Sequence, residues 1–134
     1  MYCQKYSFES VKKILIIEDN DEIRENTAEL LGLHNYDVLT AEQGSKGYEL
    51  AKQHEPDLIL CDIMMPETDG RKFLKLARND KSTRDIPLIF FSAGTGSPEV
   101  QKALIKAADG FLRKPFTEEE LLKAVQKFLE NHTW

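Results

Sequence analysis

The polar side chains that stand where this chain's apolar runs stop are of the types that handle a hard cation and a phosphoryl group. Lys13-Ile14-Leu15-Ile16-Ile17 runs into Glu18-Asp19, Asp57-Leu58-Ile59-Leu60-Cys61 into Asp62, Ile86–Phe91 into Ser92, and Gly110-Phe111-Leu112-Arg113 into Lys114-Pro115. A carboxylate in mid-strand would be a buried, unpaired charge. At the carboxyl end of a strand it faces a crevice and can accept a cation or an electrophilic phosphorus. After Asp62 the chain reads Ile63-Met64-Met65-Pro66-Glu67-Thr68-Asp69-Gly70, a sharp turn at proline and glycine. Glu18, Asp19 and Asp62 together would repel one another, and a divalent cation relieves that repulsion. Oxygen-only donors favour Mg²⁺ or Mn²⁺ over zinc. The metal would then offset charge as Asp62 attacks phosphorus in line. Lys114 adds a point charge on a flexible stem, and Ser92 adds a small hydroxyl.

A scaffold must bring these groups to one place. The short apolar runs Ile14–Ile17, Asp37–Ala41, Asp57–Cys61, Ile86–Phe91 and Gly110–Leu112 alternate with segments of helical spacing. Ile23, Thr27, Leu30 and Leu31 share one helix face, as do Val100, Leu104 and Ala107 before the fifth run, and Leu121, Leu122, Val125, Phe128 and Leu129 at the end. Ser97-Pro98 offers a cap with a first-turn proline, and Thr117 with Glu120 fits a capping box. The first, third and fourth runs are apolar almost throughout, so helices should cover both faces. That predicts an α/β fold with a doubly wound parallel sheet, whose ligands sit beyond the strand carboxyl ends.

The chain has 134 residues, 41% apolar and 31% charged, enough for one domain with a real core. A net charge of −5 without a block of like charges argues against direct nucleic-acid binding. No stretch approaches the ~20 apolar residues of a membrane span, and Met1–Lys13 lacks the pattern of a signal peptide, so no membrane association and a cytoplasmic protein are expected. Residues 1–11 read as a polar leader and 12–132 as the domain, with no output domain in this chain. Cys3 and Cys61 form neither a disulfide framework nor a metal-ligand spacing, and Cys61 reads as a small core residue. Met64 and Met65 are core or loop filler as side chains. His34, His54 and His132 fall near predicted helix ends, favourable for a positive charge, and share no motif.

The acid pair, the aspartate, the hydroxyl and the Lys-Pro, in this order and spacing, resemble the receiver domain of two-component response regulators, in its single-domain chemotaxis-regulator-like form, from about Lys12 to His132. The resemblance implies a flavodoxin-like (βα)5 fold with five strands in the order 2-1-3-4-5. It implies Asp62 as phosphoacceptor, Asp19 as a direct ligand of Mg²⁺, Glu18 as an outer ligand through water, and the Met64 main-chain carbonyl as a further ligand. Ser92 and Lys114 would contact the phosphoryl group, Phe111 would be the aromatic switch, and Lys114-Pro115 would be cis. The donor would be a sensor histidine kinase or a histidine phosphotransfer protein, and the readout a changed surface for a downstream protein. Such a protein is a switch that catalyses only its own phosphorylation and dephosphorylation. Two features depart from the family. Ala108-Asp109-Gly110-Phe111 stands where Ala-Asp-Asp-Tyr is frequent, so the switch ring lacks a hydroxyl. The loop Ala93-Gly94-Thr95-Gly96-Ser97 carries two glycines beside the site.

Other functions fit less well. An aspartyl-phosphate phosphatase of the haloacid dehalogenase type wants Asp-x-Asp, and Met64 occupies the second acid's place. A flavodoxin-like flavin binder needs hydroxyls and glycines in its first loop, where Glu18-Asp19-Asn20-Asp21 would repel phosphate. A receiver-shaped module that is never phosphorylated would have no use for the full set of acids, hydroxyl and lysine.

Overall fold

A computed structural model of the protein describes residues 11–63, 70–92, 102 and 106–129. Five strands form one parallel sheet: β1 (Lys13–Ile17), β2 (Asp37–Ala41), β3 (Leu58–Asp62), β4 (Leu88–Ser92) and β5 (Gly110–Arg113), in the order β2-β1-β3-β4-β5. The helices are α1 (Asp21–Leu33), α2 (Gly44–His54), α3 (Gly70–Arg78) and α4 (Glu118–Leu129). Residues 102, 106 and 107 are also helical, in the segment where Val100, Leu104 and Ala107 predict a face. The five runs expected as strands are strands, and the sheet is doubly wound. Among the described residues, no helix is long and apolar enough to cross a membrane.

Strand alternation divides the core in two. Leu15, Ile17, Ile59, Cys61, Leu88 and Phe90 pack with Ala51 of α2 and Phe73 and Ala77 of α3. Ile14, Ile16, Leu58, Leu60, Ile89 and Phe91 pack with Leu31 of α1 and Leu121, Val125 and Leu129 of α4. Both faces are therefore covered, as the continuous apolar runs require. The edge strands β2 and β5 are less buried than the three between them. Gly47 lets α2 lie close on β1, because a Cβ there would run into the Ile17 side chain.

The third and fourth strands end one residue later than the apolar runs that predict them. β3 runs from Leu58 to Asp62 and β4 from Leu88 to Ser92, so both functional candidates are the last residues of their strands. Pro87 has no N–H for the ladder, although its carbonyl still accepts from the Ile59 N–H at 3.0 Å. The Asp57 side chain instead closes the start of β1, accepting from the Lys13 N–H at 2.8 Å. The capping box of α4 is present: the Glu120 N–H donates to Thr117 Oγ1 at 3.0 Å and the Thr117 N–H to Glu120 Oε1 at 2.8 Å. Ser97-Pro98 lies outside the described residues. His34 caps the end of α1 and His54 ends α2, as expected, while His132 lies outside the described residues.

Candidate functional site

The chain leaves β1 toward β2 on one side and returns to β3 on the other, so a crevice opens between the carboxyl ends of β1 and β3. Glu18 and Asp19 stand on one side of it and Asp62 on the other. Glu18 extends the pairing one residue past β1, its N–H donating to the Ala41 carbonyl at 3.0 Å. Its carboxylate is buried and bound at both oxygens: Oε1 accepts from Lys114 Nζ at 2.7 Å and Oε2 from the Asn20 N–H at 3.1 Å. Asn20 then caps α1, its Oδ1 accepting from the Ile23 N–H at 2.9 Å. Asp62 is also buried, with 5% of its surface exposed, and its Oδ2 lies 3.4 Å from Lys114 Nζ.

Lys114 follows β5, and its N–H donates to the Ser92 carbonyl at 2.8 Å, which ties the end of β5 to the end of β4. Its ammonium sits 5.1 Å from the centre of the Phe91 ring, so the aromatic face and the two carboxylates hold it together. The Lys114-Pro115 bond is cis, in agreement with the expectation. Ser92 is buried at the same end of the sheet.

Carboxylate oxygens of Glu18, Asp19 and Asp62 lie within 4.8 Å of one another. Asp19 keeps access to solvent, yet the protein packed around it, and then the hydrogen bond and charge of Glu18, hold its carboxyl above the ordinary range. Three carboxylates facing one lysine leave net negative charge, and the donors are all oxygen. Such a cluster suits a hard divalent cation with open positions for water or phosphoryl oxygens. Burial, with Asp62 and Glu18 nearby, pushes the Cys61 thiol well above its usual range, so it stays protonated as a core residue.

The sequence-expected groups Glu18, Asp19, Asp62, Ser92 and Lys114 are thus brought to one sheet end. Phe111 lies elsewhere: it pairs with Phe90 and packs, half-buried, against the α2 and α3 side of the core. Met64 and the glycine loop 93–97 lie outside the described residues. Sequence reasoning passed over Asn20, whose N–H holds the Glu18 carboxylate, and Arg24, whose guanidinium holds the Glu18 carbonyl. Asn20 had a signal, a capping residue ahead of an amphipathic run, whereas an arginine in the first turn of a helix has none. Beside Lys114 runs an apolar groove of about 460 Å³ lined by Ile23, Asn26, Thr27, Pro115 and Phe116.

Comparison with known proteins places this geometry. A family model described as the response regulator receiver domain matches residues 14–126. The DNA-binding dual master transcriptional regulator RpaA of Synechocystis sp. is 38% identical over 117 residues, 87% of this chain and 48% of RpaA, so the chain spans about half the length of that relative. Among solved structures, the chemotaxis protein CheY4 of Vibrio cholerae is similar at a TM-score of 0.83 and 34% identity, over 90% of this chain and 100% of that one. The receiver domain of the sensor histidine kinase PA1611 from Pseudomonas aeruginosa, with a magnesium ion coordinated in its active site cleft, is similar at a TM-score of 0.81 and 25% identity, over 89% of this chain and 98% of that one.

Proposed function

The chain belongs to the response regulator receiver domain family and is a phosphoryl-accepting receiver of two-component signalling; from that premise we propose that Asp62 is its phosphoacceptor. The observation that carries this reading is the Lys114 ammonium, which reaches carboxylates of two different strand ends, 2.7 Å from Glu18 and 3.4 Å from Asp62. A lysine held between Asp62 and a neighbouring acid is positioned to exchange one carboxylate for a phosphoryl oxygen.

In the forward step an Asp62 oxygen attacks the phosphorus of a phosphohistidine on a partner protein. The new O–P bond forms as the P–N bond breaks, and the imidazole nitrogen leaves with the electron pair and takes up a proton. Lys114 follows the transferred group, and the Ser92 hydroxyl donates to one of its oxygens. Asp19 and Asp62 would hold Mg²⁺ directly and Glu18 through water, since Lys114 and Asn20 already engage both Glu18 oxygens. The Met64 carbonyl would be a further ligand. When bound, the cation supplies charge neutralisation at the phosphoryl oxygens. Hydrolysis of the phosphoaspartate by water returns the resting state, so the protein turns over only its own modification.

Receiver domains work with histidine kinases. The donor proposed here is a sensor histidine kinase or a histidine phosphotransfer protein, reaching Asp62 in the cytoplasm. Residues 12–132 form the receiver unit, and the downstream target is a protein rather than nucleic acid. Incubation with acetyl phosphate and Mg²⁺, followed by intact-mass measurement, tests the assignment. One phosphoryl group should be added and then released by hydroxylamine, and Asp62→Asn should gain none. Stoichiometric labelling of that variant would move the acceptor elsewhere.

A further inference from the structure

Both the main chain and the side chain of Glu18 are held, and one of the holding groups comes from outside the acidic crevice. Arg24, on the first turn of α1, donates from Nη1 to the Glu18 carbonyl at 2.9 Å, and its Nη2 pairs with Asp21 at 2.6 Å. The Arg24 side chain is only 11% exposed, while Asp21 is open to solvent at 77%. The root of the arginine is fixed as well, because its N–H donates to the Asn20 carbonyl at 2.9 Å. The carbonyl oxygen of Glu18 belongs to the same planar unit as the N–H and Cα of Asp19. A donor that fixes this oxygen therefore fixes the plane from which the Asp19 side chain departs.

We infer that Arg24 is a positioning residue for the acid pair: by gripping the Glu18 carbonyl with one arm and Asp21 with the other, it aims Asp19 into the metal-facing crevice. The inference rests on the metal reading given above. Charge and geometry make opposite predictions here. As a positive charge near a cation site, Arg24 opposes Mg²⁺ binding, so its removal would tighten the site if charge were all it contributed. As a positioning group it should do the reverse. Lysine keeps the charge, but its single ammonium on a flexible stem cannot reproduce the two-armed fork.

The test is calorimetric titration of Mg²⁺ into the metal-free full chain, its Arg24→Gln variant and its Arg24→Lys variant, alongside thermal unfolding and ¹⁵N relaxation at the Asp19 amide. Both variants should bind Mg²⁺ about tenfold more weakly, the scale of a lost outer-shell contact to a metal ligand. The Asp19 amide of the metal-free protein should become less ordered than in the wild type. Arg24→Lys binding as tightly as the wild type overturns the inference whatever Arg24→Gln does, because that variant loses only the fork. Weaker binding with an Asp19 amide as ordered as before overturns it too, since the effect would then lie elsewhere. If Arg24→Gln does not fold, the lysine variant and the relaxation data decide. A wild-type protein that binds no Mg²⁺ defeats the metal reading itself, and this inference with it.

Discussion

Asp19 and Glu18 are neighbours in sequence with different surroundings, and the difference separates the roles proposed for them. Both oxygens of Glu18 are engaged, while Asp19 meets solvent beside that charge. Asp19→Ala should therefore remove most of the Mg²⁺ dependence of phosphorylation, and Glu18→Ala less, as phosphorylation rates across a Mg²⁺ titration would show. Equal losses would contradict the direct and water-mediated roles. Asp19 also makes a stability prediction in the absence of metal. Burial and then Glu18 raise its carboxyl above 3.8, so the folded state holds the proton more tightly than the unfolded chain. Stability contributed at low pH is lost as pH rises through that raised value, which leaves a cost at neutrality. Asp19→Asn should be the more stable protein at pH 7, by a small margin because solvent screens this exposed carboxylate. The gain should vanish near pH 3. Urea denaturation at the two pH values in chelator measures both.

At the scale of elements, two contacts far from the crevice hold the scaffold. Tyr48 of α2 donates its hydroxyl to Asp80 Oδ2 at 2.7 Å, and the Ser82 N–H and Oγ donate to Oδ1 at 2.9 and 2.7 Å, so α2 is fastened to the loop after α3. The Tyr48 hydrogen bond, and then those of Ser82, lower the Asp80 carboxyl to about 2. For a depressed carboxyl the stabilisation is complete above its unfolded value near 4 and is lost as pH falls through about 2. Tyr48→Phe should accordingly be less stable than the wild type at neutral pH, and the gap should close between about pH 4 and pH 2 in thermal scans. The second contact accounts for Gly110, where the family frequently has an acid. A Cβ at this position would lie 3.0 Å from the Phe128 ring of α4 and 3.3 Å from Ile89. Gly110→Asp should push the ring off β5 and cost about 1–3 kcal/mol, the usual scale of overpacking. An unchanged denaturant midpoint would mean that the ring shifts freely.

The whole molecule must convert a change at one sheet end into a change of surface. An output face is expected along the helical segment at Lys102 and Lys106, β5 and α4, with Lys102, Lys106, Arg113 and Lys123 exposed and Phe111 half-buried. Phosphorylation is expected to draw Ser92 toward the new oxygens and make room for that ring, shifting a population rather than refolding the chain. Phe111 already packs on the core and has no hydroxyl to favour an outward position in water. Its ring resonances should therefore show the inward form before activation, and beryllofluoride should enrich that form. A ring wholly outward in the free protein would refute this. Globally, Mg²⁺ with beryllofluoride at about a hundredfold excess over its Kd should raise the melting temperature by about 5 °C or more, by mass action on the folded state. Asp62→Asn should show no such rise.

The fold class and most of the site were legible in the residues, because strand ends are marked locally. Ile14–Ile17 and Leu58–Cys61 are apolar on both faces, so the acids that follow had to emerge at a sheet end, and a parallel sheet brings its carboxyl ends to one side. Capping by Thr117 and Glu120 was legible for the same reason, since its partners are three residues apart. What tertiary structure alone decided were the contacts between groups distant in sequence. These are Lys114 resting closer to Glu18 than to Asp62, Phe128 lying over Gly110, and Tyr48 reaching Asp80. Periodicity says which face a residue occupies. It does not say which of two carboxylates an ammonium on a four-carbon stem will meet, because that depends on how neighbouring strands set the distances.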